Sequence, residues 1–107
     1  MKSIDKKNEK LDEIFKALAD KNRLKILLFI HKQECRCRKN ELSCQNEACI
    51  KDLAGLLGVT MPTISHHIKE LVNAHLITTK KEGRWVYCKI NKESFKEVSD
   101  FFNGLTI

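Results

Sequence analysis

The stretch IKDLAGLLGVTMPTISHHIKELVNAHLITTKKEGRWVYCKI, residues 50–90, carries the clearest local patterns of this 107-residue chain. Its first part has apolar residues at the spacing of one helix face, namely Ile50, Leu53, Leu56 and Leu57. Gly58 is of the residue type that often ends a helix, and Thr60 is a favourable N-cap for the next one. The second helix has its own apolar face at Ile64, Ile68, Leu71 and Val72. Two helices joined by so short a turn predict a helix-turn-helix unit over residues 50–73.

Directly after this unit the spacing of apolar residues changes from helical to alternating. Residues 76–80 and 84–90 have the pattern of two strands, and Glu82-Gly83 between them supplies a tight turn. We therefore predict a hairpin over residues 75–90, which would be the wing of a winged helix-turn-helix domain. His75, where the chain leaves the second helix, is interpreted as structural because histidine tolerates a left-handed backbone better than most residues.

Helices are predicted on both sides of the central unit. The first covers residues 5–19, and Asp20 is a suitable N-cap for an apolar second helix that runs to about Lys32. A last helix over residues 92–104 has aromatic and aliphatic residues at helical spacing. The predicted fold is one domain, residues 1–107, that is mostly α-helical with a β-hairpin.

The composition narrows the class of protein. A net charge of +6 and a pI of about 9.1 favour a nucleic-acid partner, although a lysine-rich surface gives the same balance. The longest apolar run, residues 26–30, is far too short to span a membrane, and the charged N-terminus has no apolar signal segment. We expect a cytoplasmic protein with no membrane partner. Its five cysteines should then be thiols, metal ligands or redox groups rather than structural disulfides.

The second helix of the unit is expected to present polar side chains outward. Short polar residues and cations suit the base edges and phosphates of a major groove, and the turn of the hairpin adds further cations. A solvated helix beside a lysine-rich turn would give the same pattern. The candidate DNA contacts are Met61, Thr63, Ser65, His66, Lys69, Lys80, Lys81 and Arg84. His67 is assigned to the shoulder of the same face.

These motifs resemble the ArsR/SmtB family of winged-helix repressors. The similarity lies in the segments D-L-A, L-G-V-T-x-P, S-H-H-I-K-E-L and G-R-x-V-Y of the quoted stretch, and in ALADKNRLKILLFI at residues 17–30. The resemblance implies a homodimer, paired through the helices 5–19 and 92–104, that binds double-stranded DNA at a palindromic operator. It also implies that Met61, Thr63, Ser65 and His66 meet DNA from the recognition helix, with Arg84 beside the turn of the wing.

Four of the five cysteines fall between the second helix and the helix-turn-helix unit. The stretch ECRCRKNELSCQNEAC, residues 34–49, contains Cys35, Cys37, Cys44 and Cys49. Most of it belongs to a predicted loop, residues 33–48, whose length is unusual for a helix connection and typical of a functional or a disordered segment. Thiolates select soft ions, so we predict one thiolate-bound metal or metalloid per subunit, either Zn, Cd, Pb or trivalent As or Sb.

The same cysteines are open to several interpretations. All four could bind one metal ion tetrahedrally, or three could hold trivalent arsenic or antimony. They also suit disulfide or persulfide chemistry, in which case the protein would sense redox state or sulfur species. In the least functional interpretation the thiols are idle. Cys88 alternates with Val86 and Ile90 and is interpreted as a small core residue, while His31 is a minor candidate ligand.

The resemblance gives Cys49 a particular position. Some family members carry a sensing C-x-C pair directly before the D-L-A segment; here Cys49 matches the first cysteine and Lys51 replaces the second. Other members bind zinc with Asp and His of the last helix, whereas residues 92–104 contain no His. The comparison with these members therefore indicates a sensor site rebuilt in the cysteine-rich loop.

The leading hypothesis is a repressor that leaves its operator when a thiophilic metal or metalloid binds the cysteine cluster. Closure of the loop onto Cys49 would move the helix 50–57 and the recognition helix packed against it. Two alternatives are a redox or sulfur-species-sensing repressor, and a winged-helix module for protein contacts with a structural zinc site. An enzyme is not expected, because the sequence has neither a glycine-rich phosphate loop nor a nucleophile elbow.

Overall fold

The computed structural model describes residues 6–36 and 47–106. Along these residues the elements are α1 (Lys6–Leu18), α2 (Lys21–Arg36), β1 (Glu47–Cys49), α3 (Ile50–Leu57), α4 (Met61–Asn73), β2 (Ile77–Glu82), β3 (Trp85–Ile90) and α5 (Lys92–Leu105). The predicted helix-turn-helix pair is α3 and α4, and the predicted hairpin is β2 and β3. The winged helix-turn-helix fold is therefore confirmed.

Side-chain caps begin two of the helices at the predicted residues. The carboxylate of Asp20 accepts hydrogen bonds from the backbone N–H groups of Asn22, at 2.8 Å, and Arg23, at 3.2 Å. The hydroxyl of Thr60 accepts one from the N–H of Thr63, at 3.4 Å. These bonds satisfy donors that have no partner within the first turn of α2 and α4.

Two residues in the left-handed region redirect the chain at the other helix ends. Gly58 has φ 69° and closes α3, and its N–H bonds back to the last turn. His75 has φ 62° between α4 and β2, and its carbonyl accepts a hydrogen bond of 3.0 Å from the Asn91 amide. A left-handed conformation costs a non-glycine residue about 1–2 kcal/mol, so both neighbouring elements must hold His75 in place. The structural interpretation of His75 is confirmed.

The predicted loop over residues 33–48 is wrong at both of its ends. Residues 33–36 continue α2 as far as Arg36, and residues 47–48 belong to β1. The helix continues because its backbone hydrogen bonds do not require an apolar face, and the polar residues after Lys32 are not helix breakers. A three-residue strand has no detectable alternation, and it forms only because the edge of β3 offers it backbone partners.

The strands form one antiparallel sheet in the order β1-β3-β2. β3 is central, with Glu47 opposite Lys89 on one side and Ile77 opposite Ile90 on the other. This third strand was not predicted. It joins the start of α3 directly to the wing, so the cysteine at its end lies next to the hairpin.

The core lies between α1, α2, the helix-turn-helix unit and the inner face of the sheet. Its fully buried apolar side chains are Ile14, Ile26, Ile30, Leu53, Ile64, Leu71, Leu76, Ile77 and Cys88. These residues hold α3 and α4 at a defined angle to the rest of the domain. Within residues 6–36 and 47–106 no helix has the length and apolar character needed to cross a membrane.

Candidate nucleic-acid interface and thiol site

The outward face of α4 is where the sequence predicts it. Ile64, Ile68 and Leu71 turn into the core, which leaves the opposite face in solvent. Met61 is 48% exposed, and the other predicted contacts on this helix, Thr63, Ser65, His66 and Lys69, are exposed as well. A helix that is anchored by its apolar face and polar on the other can enter a major groove without losing core contacts.

His67 does not belong to that face. It is only 8% exposed, and its Nδ1 lies 3.4 Å from an Nη of Arg23. The same guanidinium donates through Nε to the carbonyl of Ala17 at 2.7 Å. The assignment of His67 to the shoulder is therefore wrong, because Arg23 at the α1–α2 corner supplies a polar partner inside the fold. His67 anchors the recognition helix to that corner.

Asp20 at this corner has a perturbed carboxyl group. Desolvation acts to raise its pKa, but the backbone N–H groups of Arg23 and Asn22 and the charge of Arg23 outweigh it. The pKa of Asp20 is therefore held below its ordinary value, and the capping carboxylate stays charged.

The wing carries exposed cations near its turn. Lys80, Lys81 and Arg84 are exposed, and Lys80 Nζ lies 3.4 Å from the carboxylate of Glu82. The turn itself places Gly83 at φ 65°, which suits a tight hairpin. The three predicted wing contacts therefore lie on one accessible hairpin that extends from the same domain as α4.

Cys49 lies at the junction of β1 and α3. It is the N-cap residue of α3, with an extended backbone, but its side chain makes no capping hydrogen bond. The thiol is half-buried. A half-buried sulfur that is not engaged in capping is available to bind a soft ion or to react.

The other predicted ligands lie mostly outside the described residues. Cys37 and Cys44 fall in the undescribed segment 37–46, and Cys35 is described only as part of the backbone of α2. Among the described residues no group of three or more Cys, His, Asp or Glu side chains is arranged to hold a metal ion. The four-thiolate site therefore stays a prediction, of which Cys49 is the described member.

Cys88 has the opposite environment. It is fully buried in the middle of β3, as the alternation with Val86 and Ile90 predicted. Desolvation, with a smaller contribution from nearby Cys49, raises the pKa of the Cys88 thiol to about 12. Cys49 pairs with Tyr87 in the register, whereas Cys88 pairs with Ala48, so the two cysteines face opposite sides of the sheet. They do not form a common site.

A cavity of about 220 Å³ lies between the thiol, the recognition helix and the wing. Cys49 and Lys51 line it from the start of α3, and Met61 and Ser65 from α4. The residues that line it from the wing are Arg84, Trp85 and Val86. The structure thus brings a predicted sensing thiol next to three predicted DNA contacts that are far apart in sequence.

Trp85 was not among the residues that the sequence predicted for this surface. This indole is 39% exposed at the start of β3, with Lys51 Nζ 5.6 Å and the Arg84 guanidinium carbon 5.5 Å from its ring centroid. Because Trp85 directly follows Arg84 in a predicted strand, the contact between these two residues could have been predicted. The contact of Lys51 with the ring could not, because it depends on the tertiary placement of α3.

A separate apolar surface covers parts of α1, α2 and α5. Phe15 packs against Phe101 and Phe102, at centroid distances of 6.2 and 5.9 Å, and Lys10 pairs with Glu97 at 3.1 Å. The large apolar side chains left exposed on these helices are Phe15, Leu24, Leu28, Phe95, Phe102 and Leu105. A groove of about 390 Å³ lies between α2 and α5 on this surface.

The chain is similar to known bacterial regulators. The family described as "Bacterial regulatory protein, arsR family" matches residues 40–79. The arsenical resistance operon repressor of Bacillus subtilis (strain 168) is 36% identical over 84 residues, which cover 78% of this chain and 69% of that protein. The cadmium resistance transcriptional regulatory protein CadC homolog of Staphylococcus aureus is 31% identical over 86 residues, covering 80% and 61%.

Solved structures agree with this similarity. The crystal structure of an ArsR family transcriptional regulator superposes with a TM-score of 0.73 at 28% identity, covering 92% of this chain and 88% of that chain. The similarity therefore extends across both the helix-turn-helix unit and the flanking helices.

Proposed function

The chain belongs to the ArsR family of bacterial regulatory proteins, and we propose that it is a homodimeric repressor released from its operator by a thiophilic metal or metalloid bound through Cys49. Membership makes it a DNA-binding transcriptional regulator and not an enzyme. The operator, the dimer and the effector are the parts that we propose. The two named relatives are an arsenical resistance operon repressor and a cadmium resistance transcriptional regulatory protein, which supports a thiophilic effector.

The DNA surface is formed by the exposed side of α4 and by the wing. Ser65 and His66 offer short polar groups for base edges, and Lys69 offers a cation for a phosphate. Lys80, Lys81 and Arg84 would contact the backbone or the minor groove beside it. Because one such unit reads only a short half-site, a palindromic operator requires two copies of the chain.

The apolar surface on α1, α2 and α5 supports a homodimer. Phe102 is 50% exposed and Leu105 is 66% exposed, although both lie in an amphipathic helix. Monomeric proteins rarely leave a contiguous cluster of this kind in water. The partner that we propose to cover it is a second copy of the chain, which a palindromic operator also requires.

The observation that carries the effector proposal is the position of the Cys49 thiol. Cys49 is the N-cap residue of α3, but its thiol makes no capping hydrogen bond, and α3 packs directly against α4. Cys35, Cys37 and Cys44 are the proposed further ligands, and a thiophilic ion supplies simultaneous bonds to several thiolates. A force on Cys49 acts on the end of α3 that shares a cavity with the recognition helix and the wing. Coupling of about 1–3 kcal/mol, or 5- to 150-fold in operator affinity, is typical of such switches.

The test uses anaerobically purified protein and a duplex that it selects from a random pool. Arsenite and Cd²⁺ are titrated into the complex, for the wild type, Cys49→Ser and the double variant Cys35→Ser, Cys44→Ser. We expect wild-type release, unchanged duplex affinity of both variants, and loss of release in both. If Cys49→Ser is released at the same concentrations as the wild type, the effector proposal is wrong. Release by an oxidant and not by the ions would instead identify a redox sensor.

A further inference from the structure

Trp85 is the one tryptophan of the chain, and it lies between two cations from different elements. Lys51 approaches the indole from the first turn of α3, two residues after Cys49, and Arg84 approaches it from the wing. Both centroid distances are below about 6 Å, the range in which a cation over an aromatic face is attracted. The indole therefore joins the thiol-bearing end of α3 to the part of the wing that is proposed to contact DNA.

Lys51 and Arg84 have no acidic partner among the side chains that the structure describes. Trp85 is thus the group that restrains both. Cation–aromatic contacts at exposed sites correspond to about two- to fivefold in an equilibrium constant, which is enough to bias the position of a hairpin.

The cavity beside the indole explains how a change at the thiol reaches it. Cys49 and Lys51 line the same cavity as Trp85, Met61 and Ser65. Leu53 of the first turn of α3 is anchored in the core, whereas Cys49 and Lys51 border this cavity of about 220 Å³. A displacement of Cys49 is therefore expected to change the position of Lys51 against the ring.

We infer that Trp85 is a positioning residue, which holds Arg84 in its DNA-binding position through Lys51 and releases it when Cys49 is occupied. This inference rests on the proposed function, because it assigns the route by which the thiol acts on the wing. Trp85 itself is not required to touch DNA. Lys51 acts through the indole and not through a phosphate.

The first experiment needs no DNA. In a full-length Cys35→Ser, Cys37→Ser, Cys44→Ser variant, iodoacetamide is used to alkylate Cys49, with Cys88 protected in the core, and one adduct is verified by mass spectrometry. We expect the emission of Trp85 to change on alkylation, and the change to be absent when Lys51→Met is added and restored with Lys51→Arg. Equal emission changes with and without Lys51, or no change at all, overturn the inference.

The second experiment measures affinity for the selected duplex over a range of salt concentrations. Lys51→Met should weaken binding about two- to fivefold without changing the slope of log K against log salt, and should add nothing further in a Trp85→Leu background. Lys51→Arg should bind like the wild type. The matched control is Lys25→Met, which removes the charge of an exposed lysine on α2 instead of α3.

If the slope of log K against log salt is smaller by about 0.9 in Lys51→Met, Lys51 contacts a phosphate. If the effects of Lys51→Met and Trp85→Leu are fully additive, Lys51 acts independently of the indole. Either result overturns the inference. Failure of the proposed function gives a different result. If alkylation changes the Trp85 emission through Lys51 while arsenite and Cd²⁺ do not release the duplex, the proposed effector is wrong, but the inferred coupling from the thiol to the wing is retained.

Discussion

The edge strand β1 and the central strand β3 each contain a cysteine, and the two cysteines are adjacent in the register of the sheet. Cys49 ends β1, is half-buried and faces a cavity shared with the recognition helix. Cys88 lies in the middle of β3, fully buried and with its pKa raised to about 12. One residue type thus has two environments: a fully buried position in the central strand, and a half-buried position at the end of the edge strand.

The proposed function assigns the sensing property to the edge of the sheet and not to cysteine in general. Alternation along a strand places successive side chains on opposite faces, so a single step in register separates the half-buried thiol from the fully buried one. Four measurements test whether the separation is as complete as the structure indicates.

The largest expected effect is on alkylation rates. At pH 8 a thiol with a pKa near 12 is thiolate about one part in ten thousand, and the thiolate is the species that reacts. Burial slows Cys88 further. We expect Cys88 to react with iodoacetamide at least about a thousandfold more slowly than Cys49, as measured by peptide mapping over time. Both should react at similar rates in denaturant. Native rates within tenfold of each other would remove the distinction.

The next effect is on stability when a hydroxyl replaces the buried thiol. Cys88→Ser buries a stronger hydrogen-bonding group in an apolar environment, so we expect the free energy of unfolding to fall by about 2 kcal/mol. Denaturant unfolding measures the change. Cys88→Ala, which removes the sulfur without adding a polar group, should cost less. If serine is tolerated better than alanine, the environment of Cys88 is not apolar.

A smaller effect is expected from pH. The Cys88 thiol has a pKa of about 12 in the folded protein, whereas in the unfolded chain its pKa is near the ordinary value of 9.0. The stabilising contribution of the raised Cys88 pKa is therefore complete below pH 9 and is lost as the pH rises toward 12. Over this range the free energy of unfolding falls by at most about 1.4 kcal/mol per pH unit. The wild type should lose about 1 kcal/mol more than Cys88→Ala between pH 8 and 10. Parallel pH curves for the two proteins would contradict the raised pKa.

The smallest expected effect is an increase in stability. Cys49 occupies an N-cap position without a capping hydrogen bond, and serine is a preferred residue there. We expect Cys49→Ser to raise the free energy of unfolding by about 0.5–1 kcal/mol while it abolishes the response to arsenite. Thermal or denaturant unfolding of the metal-free protein tests the first part. Destabilisation by serine would mean that the thiol already makes a structural contact.

Much of the fold was predictable because its signals are local. The helix-turn-helix unit, the hairpin and the left-handed His75 each follow from a few neighbouring residues, and their caps depend on contacts within four positions. The errors have two origins. The end of α2 depends on local backbone hydrogen bonds that no apolar pattern records, whereas β1 and His67 depend on partners distant in sequence, β3 and Arg23.

For the candidate site, the sequence by itself determined which residues have suitable chemistry. It identified the thiols, the polar face of α4 and the cations of the wing, because residue type and helical period are properties of the chain alone. Only the tertiary structure decided which of them meet. Pairing of β1 with β3 brings Cys49 to the wing, and the packing of α3 brings Lys51 over Trp85. Contacts between residues distant in sequence depend on how the core closes, and no local pattern encodes that geometry.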